Sequence, residues 1–539
     1  MSFDVIVLGG GHNGLVAATM IAKAGAKTVV LERTDRVGGC ARTTEIAPGF
    51  RCPTLAHAAA IDPAIVGALA LASHGLEIVP STVDACAPTL DGRALVLWRD
   101  RSRAAEDIRA WSAKDAAQYA RFLDSTHRIC GVLRAIATTA PPDVDAPSAS
   151  DILDLLKTGR RFRSLGKADA YRLLRWMPMA VADLVAEWFE SEPLRATVAA
   201  GGVLGSFLGP WSAGSGALLL WLAAAERQPV ATGWCAKGGP GALADALAAA
   251  ARRAGVEIRT AADVAGIDVV DGVATGVTLS TGERVAARIV VSNADPKRTL
   301  FGLVDPIHLE PETLRRLQNI RAHGTLAKVN YAVSSLPRFS GLTPRGESVE
   351  REALGGRVRL ARDINQIERA FDAAKYGGFA DDPWIELTIP SILDPSLTPQ
   401  GQHVVSAYVQ YAPYQLRGTT WDAERDRLGD TATRSIARYA PGFDSTIVAR
   451  EVITPLDLER TYGLTGGHIF HGELSLDQLF VTRPLLGWAR YATPIRNLFL
   501  CGSGTHPGSG LNGMAGANAA RAVTKALKLE SKRSFKIGR

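Results

Sequence analysis

The chain opens on Asp4-Val-Ile-Val-Leu-Gly-Gly-Gly-His-Asn-Gly14, an apolar run that leads into Gly9-x-Gly11-x-x-Gly14. The run reads as a buried strand, and Leu15, Ala18 and Ala22 then fall on one face of a helix. Each glycine has a separate purpose. Gly9 makes the tight turn, Gly11 lets the backbone approach a pyrophosphate, and Gly14 lets the helix pack against the strand. The first N–H groups of that helix, at the positive end of its dipole, face the phosphates. Lys27-Thr-Val-Val-Leu-Glu32 reads as a second parallel strand, and Glu32 stands eighteen residues past Gly14. An acid at about 20 residues is where such folds hold ribose hydroxyls. The chain is expected to bind an adenine dinucleotide on an α/β, Rossmann-type domain.

The next segment, Glu32-Arg33-Thr-Asp-Arg-Val-Gly38-Gly39-Cys-Ala-Arg42-Thr43, resembles the Arg-x-Gly-Gly-x-x-x-Thr element of the flavin amine oxidase and carotene desaturase superfamily. That resemblance implies a flavin rather than a nicotinamide cofactor; taken alone the segment is a surface turn as often as a flavin loop. Gly38 and Gly39 let the backbone pass over a pyrophosphate and flavin, with Arg42 near for negative charge. Lys237-Gly-Gly-Pro-Gly-Ala-Leu243 leads into an alanine-rich helix, followed by strands joined at Asp271-Gly272 and Thr281-Gly282, both hairpin-turn signals. Near the end, Tyr491-Ala-Thr-Pro-Ile-Arg-Asn-Leu-Phe-Leu-Cys-Gly502-Ser-Gly-Thr-His506-Pro-Gly508 precedes Leu511-Asn512-Gly513-Met514. Here a strand meets a glycine loop and a helix starting at Gly513 or Met514. A helix start at that place favours the negative charge that reduced flavin gathers at N1/O2.

These segments resemble the flavin amine oxidase and carotene desaturase superfamily. Gly-His-Asn-Gly-Leu-Val-Ala-Ala and Leu-Cys-Gly-Ser-Gly-Thr-His-Pro-Gly are similar to the phytoene desaturase-related branch, and within it to the group of desaturase-type β-carotene ketolases. The likeness spans nearly the whole chain. It implies a discontinuous FAD-binding domain over residues 1–75, 230–300 and 484–530, with an inserted mixed α+β substrate domain over 76–229 and 301–483. Residues 531–539 would be a basic tail. The first insert reads as largely helical, the second as mixed. FAD is the implied cofactor, with Gly9, Gly11, Gly14, Glu32, Arg33, Gly38, Gly39, Arg42, Val264, Gly502, Gly513 and Met514 around it. The backbone at Val264 would hold the adenine. The same group includes an animal protein named for a pyridine nucleotide-disulfide oxidoreductase domain, which leaves a protein partner open. Disulfide reduction itself is not expected, because no two of the six cysteines are spaced as Cys-x-x-Cys.

Composition bounds the rest. The length of 539 residues allows two or three structural domains with ample core. Lysine and arginine outnumber acids 61 to 54, a mildly basic balance without any nucleic-acid module. Scattered cysteines and an immediate first strand suggest a cytoplasmic protein without a cleaved signal. Residues 196–225 carry no charge, but repeated glycines and Pro210 favour buried helices lining an apolar cavity over a membrane span. The stretch from Lys157 to Arg175 is basic, with Phe162, Leu165, Tyr171, Leu173 and Leu174 interleaved. It reads either as a solvated helix pair or as a contact with anionic lipid.

Desaturation needs a hydride acceptor, a dry apolar tunnel and at most one base. His506 and Asn512 are the candidate catalytic side chains, with Leu511 beside them, and His506 is equally a loop-holding histidine. His57 reads as a core histidine. His468 and His471 lie on a strand-like run without further ligands, so no metal is expected. Four readings remain. They are an oxidoreductase acting on a long apolar, carotenoid- or lipid-like substrate, an amine oxidase, a redox-neutral polyene isomerase, and a flavin-bearing regulatory protein. Oligomeric state is not legible.

Overall fold

A computed structural model describes residues 3–57, 60–144, 146–227 and 234–537, with side chains to 529. The boundary at 230 and residues 538–539 of the tail lie outside this range; the last helix runs from Met514 to Ile537. Two seven-stranded sheets organise the chain.

The first sheet has a parallel centre. Phe3–Leu8 pairs with Thr28–Leu31 on one side and Arg284–Ser292 on the other, while Glu257–Arg259 and Leu498–Leu500 extend it. Parallel strands covered on both faces read as unbroken apolar runs, and Val5, Ile6, Val7 and Leu8 are all buried. Arg284–Ser292 serves two arrangements. Its residues 284–286 close an antiparallel meander with Val264–Val270 and Val273–Leu279, and its residues 287–292 run parallel to the first strand. The meander turns at Asp271 and Gly272, both at positive φ, as an Asp-Gly hairpin requires.

Helix His12–Lys23 and the last helix cover this sheet together. A Cβ at Gly516 would lie 2.2 Å from the Asn13 carbonyl oxygen, so only glycine permits the crossing. Asn13 Oδ1 accepts the Gly516 N–H at 3.2 Å, and Asn13 Nδ2 donates to Ser503 Oγ at 3.2 Å. The two ends of the chain are thereby locked beside the first glycine loop.

The second sheet runs in the order Ile447–Ile453, Leu326–Val333, His403–Gln410, Trp384–Thr388, Arg357–Leu360, Val83–Pro88 and Ala94–Trp98. The first insert is therefore not simply helical. Val83–Pro88 and Ala94–Trp98 form a hairpin that joins the edge of this sheet beside Arg357–Leu360, where Arg357 and Val358 lie opposite Ala85 and Cys86. The Leu-Asp-Gly-Arg turn between them is its local signal.

One face of this sheet is apolar. Tyr331 packs edge-on to Phe443 at 5.1 Å, below helix Trp421–Tyr439. The other face carries a buried polar row, because Lys328, Tyr408, Glu386 and Arg359 are direct partners across four strands. Residues 196–225 resolve into helix Glu192–Ala199, a short turn, a loop and helix Ser215–Glu226. Residues 215–221 and 223–225 of the last are all buried, and each such leucine contributes roughly 1.5–3 kcal/mol. Among the described residues, no helix is long and apolar enough to cross a membrane.

Candidate active site

A cleft open to solvent runs between the two sheets. One end is built from backbone. Gly9, at φ +90°, donates its N–H to the Leu31 carbonyl at 2.8 Å, and Gly38 N–H reaches the Gly10 carbonyl at 2.9 Å. A Cβ at Gly14 would meet the Gly9 carbonyl at 2.2 Å, and one at Gly11 would meet Asn293 Nδ2 at 2.7 Å. Helix His12–Lys23 starts without a side-chain cap and without an acid in its first turn. Its orphan N–H groups therefore open on the cleft beside Gly11, where an anion satisfies them.

Glu32 is buried and accepts three hydrogen bonds, one short of the roughly four a carboxylate can take. Its Oε2 accepts Gly10 N–H at 2.8 Å, and Oε1 accepts the backbone and hydroxyl of Thr34 at 3.0 and 2.8 Å. Arg33 reaches the Thr461 carbonyl. Arg42 donates to Thr34 Oγ1 at 2.6 Å and keeps a buried Nε with no acceptor. Gly9, Gly11, Glu32, Arg33, Gly39, Arg42 and Val264 all line the cleft, and Gly14 and Gly38 shape its wall from behind.

The last glycine loop differs from its expected role. Gly502, Gly513 and Met514 stand behind the cleft, and Leu511 and Asn512 form the surface. The helix start is partly capped within the protein. Met514 N–H donates to Asn512 Oδ1 at 2.8 Å, and Gly516 N–H is held by Asn13. Asn512 Nδ2 is also spent, on the Gly508 and Ser509 carbonyls. A side chain with every polar group engaged ties the loop together and leaves nothing for a substrate.

His506 stands outside the cleft lining. Its ring lies between Trp221 and Phe480, its Nε2 meets the Ile136 carbonyl at 3.0 Å, and burial lowers its pKa to about 4. It holds the loop to helix Ala113–Ala137. The 468–471 run is no strand. Glycines 466, 467 and 472 take positive φ, and the chain turns so that His471 faces the cleft. Burial first, then the nearby His471, lowers the pKa of His12 to about 4, so this pair of rings lies beside the loop uncharged. Among the described residues, no three metal-ligating groups come together.

The far end of the cleft is built from side chains. Leu204, Leu222, Ala225, Ile469 and Phe470 line it, together with His57, Tyr408, Arg357 and Glu226. Arg357 bridges Glu226 and Glu386, each at 3.1 Å, and Arg359 meets Glu386 at 2.8 Å. Burial opposes ionisation of Glu386, but the two guanidiniums win and hold its carboxyl below the usual range. Lys328 lies under this surface, its Nζ 2.9 Å from the Leu55 carbonyl and 4.2 Å from the Tyr408 ring centre. Burial lowers its pKa to about 7. The polar row escaped sequence reasoning because its members are far apart in the chain; a lysine within the strand-like run Leu326–Val333 was the one local signal.

The cysteines are free. Cys40 lines the cleft, but burial pushes its thiol up to about 12, as it does those of Cys52, Cys130 and Cys235. None of these is a ready thiolate nucleophile.

A dinucleotide cradle on a parallel sheet, facing a side-chain-lined chamber on a second sheet, defines an FAD-dependent oxidoreductase. The family model for flavin-containing amine oxidoreductases matches residues 189–524, and that for an NAD(P)-binding Rossmann-like domain matches residues 7–65. The chain belongs to the flavin-containing amine oxidoreductase family. It is 36% identical to rat pyridine nucleotide-disulfide oxidoreductase domain-containing protein 2, over 98% of this chain and 94% of that protein. It is 26% identical to a lycopene-forming phytoene desaturase of Pantoea ananas, over 96% and 97%. A solved putrescine oxidase variant shares the fold with a TM-score of 0.62 at 15% identity, covering 98% of this chain and 99% of that one.

The cofactor is FAD, and the residues present fit it. The uncapped helix start and the glycine loop suit the pyrophosphate, Glu32 lies where ribose is held, and the unpartnered Arg42 Nε adds a cationic donor. Bound there, FAD supplies the hydride acceptor. The chain's own contribution is to orient it by backbone contacts and to exclude water from the apolar wall.

Proposed function

We propose that the protein dehydrogenates a long apolar substrate, with FAD as the acceptor. The observation that carries this is the wall of Leu204, Leu222, Ala225, Ile469 and Phe470, which continues the cleft away from the glycine loops. The similarity to a phytoene desaturase supports it. An amine substrate is less suited. Both Glu226 oxygens accept from Arg357, so among the described residues this wall offers no unpaired carboxylate for an ammonium group. The test is anaerobic bleaching of the bound flavin with a polyene in liposomes and with small amines offered separately. Bleaching by the polyene is the expected result, and bleaching by amines alone overturns the reading.

We also propose that helices Ala149–Ser164 and Gly166–Trp176 rest on an anionic lipid surface. Ile152, Leu153, Leu155 and Leu156 are 48–66% exposed, and Tyr171 and Leu174 are 64% and 62% exposed. Ile152, Leu156, Arg160 and Arg163 share one helical face. Arg160, Arg161, Arg163 and Lys167 have no ion-pair partner among the described residues. A second copy of the same face would be repelled by these charges. Anionic lipid instead satisfies both halves, at about 1 kcal/mol per cation plus the buried apolar area. Co-sedimentation with phosphatidylserine vesicles should fall at least tenfold when Arg160, Arg161 and Arg163 are changed to glutamine. Unchanged sedimentation overturns the proposal.

A further inference from the structure

At the end of the cleft lined by Leu204 and Phe470, His57 is a buried side chain, 7% exposed, whose ring nitrogens make no hydrogen bond. Leaving such a group unpaired costs roughly 1–3 kcal/mol, so a site with this feature is incomplete without a polar partner.

The surroundings fix which nitrogen is which. Nδ1 faces Glu386 Oε1 at 3.7 Å, longer than a hydrogen bond but close enough for the carboxylate to favour a proton on that nitrogen. Glu386 is in turn held by Arg357 and Arg359. The ring cannot swing away, since it stacks on Tyr408 at 3.7 Å between centres. Nε2 is left as a lone pair. Burial, with Lys328 and Arg357 nearby, lowers the ring's pKa to about 3, which keeps that lone pair unprotonated at neutral pH.

Tyr408 completes the pair. Its hydroxyl oxygen accepts the His57 backbone N–H at 3.2 Å, and its own proton has no acceptor among the described residues. An acceptor and a donor on adjacent stacked rings, lining a wall that is apolar apart from the paired Arg357 and Glu226, are the complement of a group that gives one hydrogen bond and takes one.

We infer that His57 and Tyr408 bind a hydroxyl group of the substrate, which is therefore an apolar alcohol rather than a pure hydrocarbon. The hydroxyl donates to His57 Nε2 and accepts from Tyr408 O–H, and the Leu204–Phe470 wall takes the hydrocarbon. The inference rests on the apolar-substrate reading above and narrows it. An ammonium group fails here, having no lone pair to accept from Tyr408.

The test uses the flavin-loaded protein, with farnesol and farnesene titrated separately and the flavin absorbance as readout. Comparison with His57→Phe, which keeps the stack and removes the acceptor, cancels the different hydration of the two probes. Farnesol affinity should fall roughly tenfold in this variant and farnesene affinity should stay within twofold. His57→Gln, which restores a side-chain acceptor, should recover farnesol binding to within about threefold of the unmodified protein. Equal weakening of both probes, or no change in either, overturns the inference but leaves the apolar reading standing. A flavin spectrum altered by His57→Phe with the farnesol-to-farnesene ratio unchanged assigns His57 to the flavin and also overturns it. If neither probe binds the unmodified protein, the apolar-substrate reading falls and takes this inference with it.

Discussion

The two sheets build their halves of the cleft from different materials. At the first sheet, recognition is by backbone: positive φ at Gly9, an uncapped helix start, and glycines whose missing Cβ atoms let loops touch. At the second sheet, the cleft rests on side chains in register, of which Tyr408 reaches its surface. Lys328, Tyr408, Glu386 and Arg359 form a buried row across four strands. A backbone site tolerates no added atoms and little change of sequence. A side-chain site keeps its fold while its chemistry is changed, at the cost of burying charges that need one another.

The largest expected effect is at the backbone half. Gly14→Val places side-chain atoms where a Cβ alone would already be 2.2 Å from the Gly9 carbonyl, so the ratio of flavin to protein absorbance should fall below a tenth of its normal value. Retained flavin would break the contrast. At the other half, Glu386→Gln keeps the shape and leaves Arg357 and Arg359 short of a buried anion. Urea unfolding should show a loss of about 3–5 kcal/mol, with flavin content preserved.

A pH series comes next. Burial lowers the pKa values of His12 and His506 to about 4, and those of His57 and His468 to about 3. The unfolded chain, with histidine near 6.5, binds more protons than the folded one between pH 6.5 and these values. Stability therefore rises with pH through that window and is lost as pH falls below 6.5, by about 2 kcal/mol per histidine at pH 5. With His403 and His471 lowered by burial as well, the urea midpoint should drop between pH 7 and pH 5, and His57→Phe should flatten the drop by roughly a sixth. The smallest effect is expected for Glu32→Gln, which keeps one acceptor oxygen for Gly10 or Thr34. Flavin affinity should weaken about tenfold by equilibrium dialysis.

Legibility followed the same division. Glycines at fixed spacing, a strand before and a helix after, mark a backbone site within some forty consecutive residues, Asp4 to Thr43, and so the Rossmann-type fold and FAD could be read. Local signals also gave the Asp271-Gly272 turn and the buried helices of 196–225. Where a role depended on which way a side chain turned, the string was silent. Nothing in it distinguishes His506, spent on the Ile136 carbonyl, from His57, unspent in the cleft. The hairpin of Val83 to Trp98 had a local signal in its Asp91-Gly92 turn, but its place in the second sheet had none, because its partner strand, Arg357–Leu360, lies far along the chain.

The sequence by itself determined the cofactor half, because main-chain recognition needs residue types that are scarce elsewhere and close together in order. Only the tertiary structure decided the side-chain half. It set Tyr408 between Lys328 and Glu386, and turned His57 toward the cleft. Strand register and long-range packing fix those neighbours, and neither is written in any single stretch of the chain.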